Sequence, residues 1–357
     1  MGKTVKKILI YSPYWSKAGG GERYLLQIAF ILQKNYRIYL LADKIIKKKA
    51  RHIFGLNLDQ VEFLEPGFFR NQNFFSRYLF LRQFDICFYT TDGSLFFPAS
   101  PKNYLVIQSP LHIPPPGFTS KLKIKNWKIV CYSGFMRKII SDRLGKDSFI
   151  LPPAVDTDLF MRDKVKKEKI ILTVGRFFSS PLHEKRQDFL LDFFIKNYQK
   201  YFRNWQLIIC GNLTEQSGNE FLIKLKKKIK GYPVKLMVNL PFTDLKHLYK
   251  KSSLYWHAAG YGSDPQKLPE KMEHFGITTL EAMAASAVPL VFAAGGQTDI
   301  VVNGKSGFLW PDEAHFLKYN RQLLDSPTLL KKMAQQAGQR SFYFSLSNFE
   351  KRLHEII

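Results

Sequence analysis

The chain has 357 residues, too many for one ordinary domain and suited to two domains of roughly 150–180 residues each. Hydrophobic residues make up 45% of it and charged residues 23%, a globular composition that excludes a disordered chain. The 54 Lys and Arg against 29 Asp and Glu give a net charge of +25, which suits nucleic acid, an anionic membrane surface or phosphorylated substrates without choosing among them.

The first half of the chain alternates short β-branched runs with stretches of helical period, which predicts a parallel sheet covered by helices. The predicted strands are, in order, KKILIYSPY, RIYLLAD, VEFLE, DICFYTTD, YLVIQSP and KIVCYSG. Gly19, Gly20 and Gly21 lie between the first strand and the helix ERYLLQIAFILQKN, an arrangement typical of a Rossmann-type opening. Their G-G-G-E pattern does not match the dinucleotide fingerprint, so the glycines indicate either a loop for close approach of a ligand or a plain tight turn.

The segment ILPPAVDTDLF interrupts this pattern, because its two prolines cannot continue a helix or a central strand. A second series of strands then follows: KKEKIILTVGR, WQLIICGN, PVKLMVNL, SSLYWHAA and AVPLVFA. We therefore predict an α/β protein of two Rossmann-like domains that face a cleft at the carboxyl ends of both sheets. The expected domains are residues 1–155 and 156–338, with 339–357 as a C-terminal helix that packs back on the first domain.

No metal site or separate cofactor is expected. Cys87, Cys131 and Cys210 are far apart in apolar runs and lack a neighbouring Cys or His, which predicts buried reduced thiols. Asp156 and Asp158 form a D-x-D pattern, but they follow the two linker prolines and are not expected to bind metal.

The segment EHFGITTLEAMAAS contains the most informative pair of acidic residues. Glu273 and Glu281 are separated by seven residues, the second inside a predicted helix that Thr278 or Thr279 would cap. A helix N-terminus suits a diphosphate, a carboxylate before it suits sugar hydroxyls, and Gly276 lets backbone approach a ligand. The alternative is a pair of surface glutamates on an amphipathic helix.

The sequence resembles the GT-B glycosyltransferases of the large retaining group usually called family 4. The resemblance is carried by EHFGITTLEAMAASAVPLVFAAGGQTDIV, NGKSGFL, ILTVGRFF with KRQDFLLDFF, LPPAVDTDLF and YSPYWSKAGGGER. These segments follow the order of the family over nearly the whole chain. The segment GYGSDPQKLPEKMEHFG, which leads into the helix after Gly276, resembles that of the subset that includes mannosyltransferases.

This resemblance implies roles for individual residues. Glu273 would contact the donor sugar and Glu281 the ribose, while Arg176 and Lys185 would stabilise the leaving diphosphate, with Arg186 as the alternative to Lys185. The implied catalytic residues are Glu273, Arg176 and Lys185. The implied nucleotide-sugar-binding residues are Gly20, Gly21, Arg176, Lys185, Gly211, Phe275, Gly276, Ile277, Thr278 and Glu281.

The acceptor side departs from the family. Many members carry a histidine after a strand of the first domain, and Gln108 takes that place here. His112 follows four residues later, and Asp92 ends another strand. All three remain candidates for the acceptor-side role.

The implied function is retaining transfer of a hexosyl unit from GDP-mannose or a UDP-hexose to a glycan or lipid-linked acceptor. One alternative is a nucleotide-sugar epimerase of the same fold, which would release isomerised donor instead of a new glycosidic bond. A basic nucleic-acid-binding protein is the other alternative, but no helix-turn-helix, zinc or RNP-type motif supports a nucleic-acid partner.

The expected location is cytoplasmic, because the first residues lack a signal peptide and no apolar run is long enough to span a bilayer. Residues 67–84 interleave Phe, Tyr and Leu with arginines, and 121–128 add lysines. This pattern predicts peripheral contact with an anionic membrane face. A core-packing helix with exposed arginines is the alternative.

Overall fold

The computed structural model describes residues 5–15, 20–70, 72–162, 165–178, 185–213 and 216–357, apart from the side chains of Phe68 and Arg70. Gly19 and the segment 179–184, which precedes Lys185, lie outside these residues. The chain divides into two compact units. The first unit is Met1–Pro153 together with Phe349–Ile357, and the second is Ala154–Asn348.

The first unit contains, within the described residues, a seven-stranded sheet in which every pair of neighbouring strands is parallel. Its strands are β1 (Lys7–Tyr11), β2 (Arg37–Leu41), β3 (Val61–Leu64), β4 (Ile86–Thr90), β5 (Lys102–Val106), β6 (Lys128–Cys131) and β7 (Ser148–Ile150). Its helices are α1 (Gly20–Leu32), α2 (Ile45–Phe54), α3 (Pro66–Arg70), α4 (Phe74–Leu81), α5 (Phe118–Ile124) and α6 (Gly134–Leu144). The strand order β3-β2-β1-β4-β5-β6-β7 reverses direction between β1 and β4, as in a Rossmann domain.

The core of the first unit follows the two-residue period of its strands. Alternate residues of neighbouring strands, such as Leu9, Cys87, Leu105 and Ile129, pack in one cluster on the same face of the sheet. Strand β1 is central and covered on both faces, so its residues form a continuous apolar run instead of an alternating one.

The second unit has a six-stranded sheet in its described part, again with parallel neighbours. Its strands are β8 (Glu168–Val174), β9 (Gln206–Gly211), β10 (Val234–Val238), β11 (Ser252–His257), β12 (Val288–Phe292) and β13 (Phe308–Trp310). Its helices are α7 (Thr157–Met161), α8 (Gln187–Asn197), α9 (Gln216–Lys228), α10 (Phe242–Lys251), α11 (Ile277–Ala284), α12 (Gln297–Ile300), α13 (Glu313–Asp325) and α14 (Pro327–Ser341). The order β10-β9-β8-β11-β12-β13 reverses between β8 and β11, so the predicted α/β class with two Rossmann-like domains is confirmed.

The last helix, α15 (Leu346–Ile356), contributes most of its length to the first unit. Phe349 is fully buried, and its ring meets that of Tyr24 edge-on at a centroid distance of 5.6 Å. The Tyr104 hydroxyl donates a hydrogen bond to the carbonyl of Ile356. These contacts tie the final residues of α15 to α1 and β5.

The D-x-D pattern of Asp156 and Asp158 lies at the start of α7. Asp156 caps α7 by accepting a hydrogen bond from the Leu159 amide at 3.1 Å. Across the described ranges, no group of three acidic, His or Cys side chains is arranged to hold a metal ion.

Burial raises the pKa of the free thiols of Cys87 and Cys210 to about 12. In the same ranges, no helix combines the length and apolar character needed to cross a membrane.

Candidate active site

The candidate site lies at the carboxyl edge of the second sheet, where the strand order reverses between β8 and β11. Open parallel sheets bind ligands at this position, because the loops that leave neighbouring strands diverge there and form a crevice. Three segments of the second unit meet at this edge: the turn after β8, the end of β11, and the loop that leads into α11.

Glu273 lies at the centre of the site, in the loop before α11. Its Oε2 atom is 2.6 Å from Nζ of Lys185 and 3.0 Å from Nε2 of His257. The side chain of Glu273 is 17% exposed and that of Lys185 is 21% exposed. Burial alone would raise the pKa of Glu273, but the Lys185 ammonium and the His257 hydrogen bond hold that pKa well below its ordinary value. Glu273 is therefore a carboxylate at neutral pH.

His257 ends β11 and is almost completely buried, with 2% of its surface exposed. The amide Nε2 of Gln297 lies 3.3 Å from its Nδ1. Because that amide nitrogen can only donate, Nδ1 accepts and the ring proton belongs on Nε2, which donates to Glu273. Burial lowers the pKa of His257, with the Glu273 carboxylate opposing that effect. A neutral imidazole therefore fixes the orientation of the Glu273 carboxylate.

Glycines let the backbone fold tightly around Glu273. The amide of Gly296 donates to the Glu273 carbonyl at 2.7 Å. A Cβ atom at Gly295 would lie 2.2 Å from the same carbonyl oxygen. Gly276 precedes α11 with φ of +110°, and a Cβ atom there would lie 2.7 Å from Nε2 of Gln297. A larger residue at Gly295 would displace the backbone of Glu273, whereas one at Gly276 would meet the Gln297 side chain and keep an unfavourable positive φ.

The predicted cap of α11 by Thr278 or Thr279 is wrong. The N-cap residue is Gly276, and no side chain caps the helix. Thr278 lies one residue inside the helix, where its hydroxyl accepts a hydrogen bond from Tyr255 at 2.8 Å. Since a capping threonine would need extended backbone dihedrals, its position inside the helix rules out that role. The first turn of α11 thus has no side-chain cap over its amides, including those of Ile277 and Thr278.

Glu281 lies one turn inside α11 and is 5% exposed. Burial raises the pKa of Tyr249, and the nearby Glu281 carboxylate raises it further. Phe275 is also buried, and its ring meets that of Phe344 at a centroid distance of 5.8 Å. The structure thus places Glu281 and the Phe275 ring in the packed part of the unit, while Glu273 and Lys185 retain some exposure.

The basic residues of the site separate into two environments. Lys185 lies against Glu273, whereas the Arg186 guanidinium donates to the Tyr261 carbonyl and to Asp188. Arg176 follows β8, and its guanidinium carbon lies 4.6 Å from the centre of the Phe178 ring. Of the two candidates next to each other in sequence, Lys185 is the one that contacts Glu273.

Gly175 and Gly211 allow the loops after β8 and β9 to approach each other. A Cβ atom at Gly211 would lie 2.2 Å from the Gly175 carbonyl oxygen. A Cβ atom at Gly175 would lie 2.6 Å from Cγ of Lys185. Both glycines therefore make room for the neighbouring backbone and for the Lys185 side chain.

The acceptor-side candidates lie at the carboxyl edge of the first sheet. Gln108 follows β5 and donates to the Gly21 carbonyl at 3.4 Å. A Cβ atom at Gly21 would lie 2.2 Å from Oε1 of Gln108, while one at Gly20 would meet nothing within 4 Å. Glycine is thus required for this contact at Gly21 and not at Gly20.

Tyr14 contacts His112 at the same edge. Its hydroxyl is 3.2 Å from Nε2 of His112, and the two rings stack. Burial raises the pKa of Tyr14, and the carboxylates of Asp92 and Glu22 raise it further. Asp92 itself accepts from the amide and hydroxyl of Ser94. The sequence pattern indicates Asp92 and His112 but not Tyr14 or Glu22, although Glu22 directly follows the glycine run and Tyr14 lies shortly before it.

Comparison with known proteins identifies the family. The model of the family described as glycosyl transferases group 1 matches residues 156–340, more than half of the chain and the whole of the candidate site. The chain belongs to this family. The match includes Arg176, Lys185, His257, Glu273 and Gln297.

Two curated relatives are similar to this chain over part of their length. The GDP-Man:Man(3)GlcNAc(2)-PP-Dol alpha-1,2-mannosyltransferase of Dictyostelium discoideum is 25% identical over 235 residues, 62% of this chain and 44% of the relative. A probable sucrose-phosphate synthase of Thermosipho melanesiensis is 28% identical over 199 residues, 54% of this chain and 42% of the relative. The similarity thus spans less than half the length of each relative.

The solved structure of Anabaena HepE in complex with UDP has the same fold. It superimposes with a TM-score of 0.73 and covers 98% of both chains, at 16% sequence identity. This similarity confirms the predicted GT-B fold.

Proposed function

We propose that the protein is a retaining, metal-independent glycosyltransferase that moves a hexosyl unit from a nucleotide diphosphate sugar to a glycan or lipid-linked acceptor. GDP-mannose and a UDP-hexose are the two donor classes, in keeping with a GDP-mannose-dependent relative and a UDP-bound structural neighbour. The observation that carries the proposal is the contact of the Glu273 carboxylate with Lys185 and His257 beside the uncapped start of α11.

The first step is binding of the donor. Amides at the start of α11, around Gly276, Ile277 and Thr278, would donate to the diphosphate, aided by the positive end of the helix dipole. The Glu273 carboxylate would accept hydrogen bonds from the sugar hydroxyls in the orientation that His257 fixes. Glu281 would hold the ribose.

The second step is departure of the nucleotide diphosphate, which gains negative charge as the bond to the sugar breaks. Lys185 and Arg176 would stabilise that charge without a metal ion. In the structure the Lys185 ammonium is already held at the site by Glu273. A fixed cation needs little reorganisation when charge develops, which is the condition for strong electrostatic stabilisation.

The acceptor would attack the same face of the sugar from which the diphosphate leaves, and the leaving phosphate would take the acceptor proton. This course retains the anomeric configuration. Glu273 is engaged by two hydrogen-bond donors and serves here as a binding group instead of a nucleophile. Asp92, Gln108 and His112 remain the proposed acceptor-side groups of the first unit.

Ligand-induced thermal stabilisation tests the proposal. GDP-, UDP- and ADP-sugars would be added to the wild type and to Glu281→Ala and Arg176→Ala variants. We expect one donor at about 100 times its dissociation constant to stabilise the wild type by roughly 2.7 kcal/mol, and the two variants to lose that shift. Arg137→Ala, which breaks an exposed ion pair with Asp147 in the first unit, is the matched control and should keep it.

Absence of a shift with every sugar nucleotide would contradict the proposal. If a donor binds, product analysis separates the two enzymatic functions. A new glycosidic bond with retained configuration supports transfer. Isomerised free donor without an acceptor product would instead support an epimerase of the same fold.

A further inference from the structure

The first unit exposes a group of large apolar side chains on α4, on α5 and on the loop between β4 and β5. We call this group the aromatic patch and define it as Phe74, Phe75, Leu79, Phe97, Phe118 and Leu122. Phe75, Leu79 and Phe118 are 74%, 62% and 77% exposed. Such exposure of neighbouring large side chains marks an interaction site on a protein surface.

Direct contacts join the parts of the aromatic patch. The rings of Phe74 and Phe97 lie 5.6 Å apart, edge to face, which connects α4 to the loop after β4. The ammonium of Lys123 on α5 lies 5.7 Å from the centre of the Phe97 ring. Phe75 and Leu79 are four residues apart on α4, as are Phe118 and Leu122 on α5, so each pair shares one helix face.

The charge around the aromatic patch has one sign. The sequence has no Asp or Glu between Glu65 and Asp85, and none between Asp92 and Asp142. The same stretches supply cations on or directly after the two helices: Arg82, Lys121, Lys123 and Lys125. The patch is therefore apolar at its centre and cationic around it.

This combination indicates the chemistry of the partner. A second copy of the same surface would bring two cationic margins together, which opposes a symmetric dimer. A nucleic acid would match the cations but would leave Phe75 and Phe118 without an apolar environment. An anionic lipid bilayer offers both acyl chains for the rings and negative head groups for the lysines.

We propose that the aromatic patch is the surface by which this protein docks on an anionic membrane. Phe75, Leu79 and Phe118 enter the boundary between head groups and acyl chains, and the lysines of α5 contact the head groups. The proposal is independent of the proposed transferase activity, since none of these residues belongs to the candidate site.

Vesicle flotation tests the docking surface. The full-length protein would be floated at 0.1 M salt with vesicles of pure phosphatidylcholine or with 30% phosphatidylglycerol added. We expect flotation only with the anionic vesicles. The Phe75→Ser/Leu79→Ser and Phe118→Ser/Leu122→Ser variants should each lose most of it, and each of Lys121→Gln, Lys123→Gln and Lys125→Gln should weaken partition by about five-fold.

Matched controls come from α9 of the second unit, which is also exposed and basic. Ile223→Ser and Lys226→Gln/Lys227→Gln change the same kinds of side chain and should float like the wild type. Thermal melting would show that every variant is folded, which is expected because the substituted side chains are exposed.

Several results would overturn the proposal. One is a wild type that stays at the bottom of the gradient with anionic vesicles. Another is a pair of serine variants that float as well as the wild type, since the apolar centre would then be irrelevant. A third is a patch-dependent dimer in light scattering, or patch-dependent retention of DNA, without flotation.

Discussion

In the candidate site, Glu273, Lys185 and His257 lie close enough to shift one another's pKa. Lys185 and His257 keep the pKa of Glu273 low despite burial. Burial lowers the pKa of His257, the Glu273 carboxylate opposes that change, and the Lys185 ammonium adds to it. The site at neutral pH therefore holds one carboxylate, one ammonium and one neutral imidazole.

Substitution of Glu273 and substitution of Lys185 should shift the pKa of His257 in opposite directions. Glu273→Gln removes the carboxylate that favours the imidazolium, so the pKa should fall further. Lys185→Met removes a cation that disfavours it, so the pKa should rise. Titration of ¹³C-labelled histidines by NMR would measure both shifts.

Shifts of the same sign in the two variants would mean that the Glu273–Lys185 ion pair does not set the charge state of His257.

The sequence predicts Glu273, Gly276 and Glu281 around the start of a helix because they lie within a few residues of one another. It does not predict the contact of His257 with Gln297. These residues lie far from one another in sequence and meet only because β11 and β12 are neighbours in the sheet. The one available signal was the position of His257 at the end of a predicted strand, where polar side chains often serve a ligand.

At the scale of elements, the start of α11 depends on a glycine in an unusual conformation. Gly276→Ala should destabilise the protein by more than the roughly 1–2 kcal/mol that an L-residue pays for positive φ, because its Cβ also meets Gln297. Gln297→Ala removes the side chain that the new Cβ meets. The double variant should therefore lose less free energy of unfolding than the two single variants lose together. Chemical denaturation would give the four free energies of unfolding.

Gly304→Ala is the matched control for backbone strain. Gly304 also has positive φ, +72°, but a Cβ atom there would meet nothing within 4 Å. The free energy of unfolding of this variant should fall by the backbone strain alone, and Gln297→Ala should not change that loss. Equal costs at both glycines would mean that the loop before α11 shifts freely.

The apolar runs of the sequence predict every strand except β7 and β13, which form one edge of each sheet. The central strands β1, β4, β8 and β11 are β-branched or aromatic runs that stand out from their flanks. Strands β7 and β13 have three residues each, too few to show a period, and both were missed. Their pairing with β6 and β12 depends on the completed sheet and not on their own sequence.

At the scale of the whole molecule, the first unit depends on α15, although the whole second unit separates the two in sequence. Phe349→Ala should destabilise the first unit by about 3–5 kcal/mol, because it removes a fully buried ring from against Tyr24. Hydrogen exchange with mass spectrometry should show lost protection in β1, β4 and β5 and retained protection in β8, β9 and β11.

Phe342→Ala removes a phenylalanine of the same region that is 40% exposed, and it should change both units little. Equal loss of protection in the two sheets after Phe349→Ala would mean that they unfold as one cooperative unit.

The division of the chain also sets an order in which the protein can be completed on the ribosome. The second unit is continuous from Ala154 to Asn348, so all its strands emerge one after another. The first unit is made earlier but lacks Phe349 until that whole stretch has been translated. The apolar surface around Tyr24 stays uncovered until then, so we expect the first unit to complete its folding after the second.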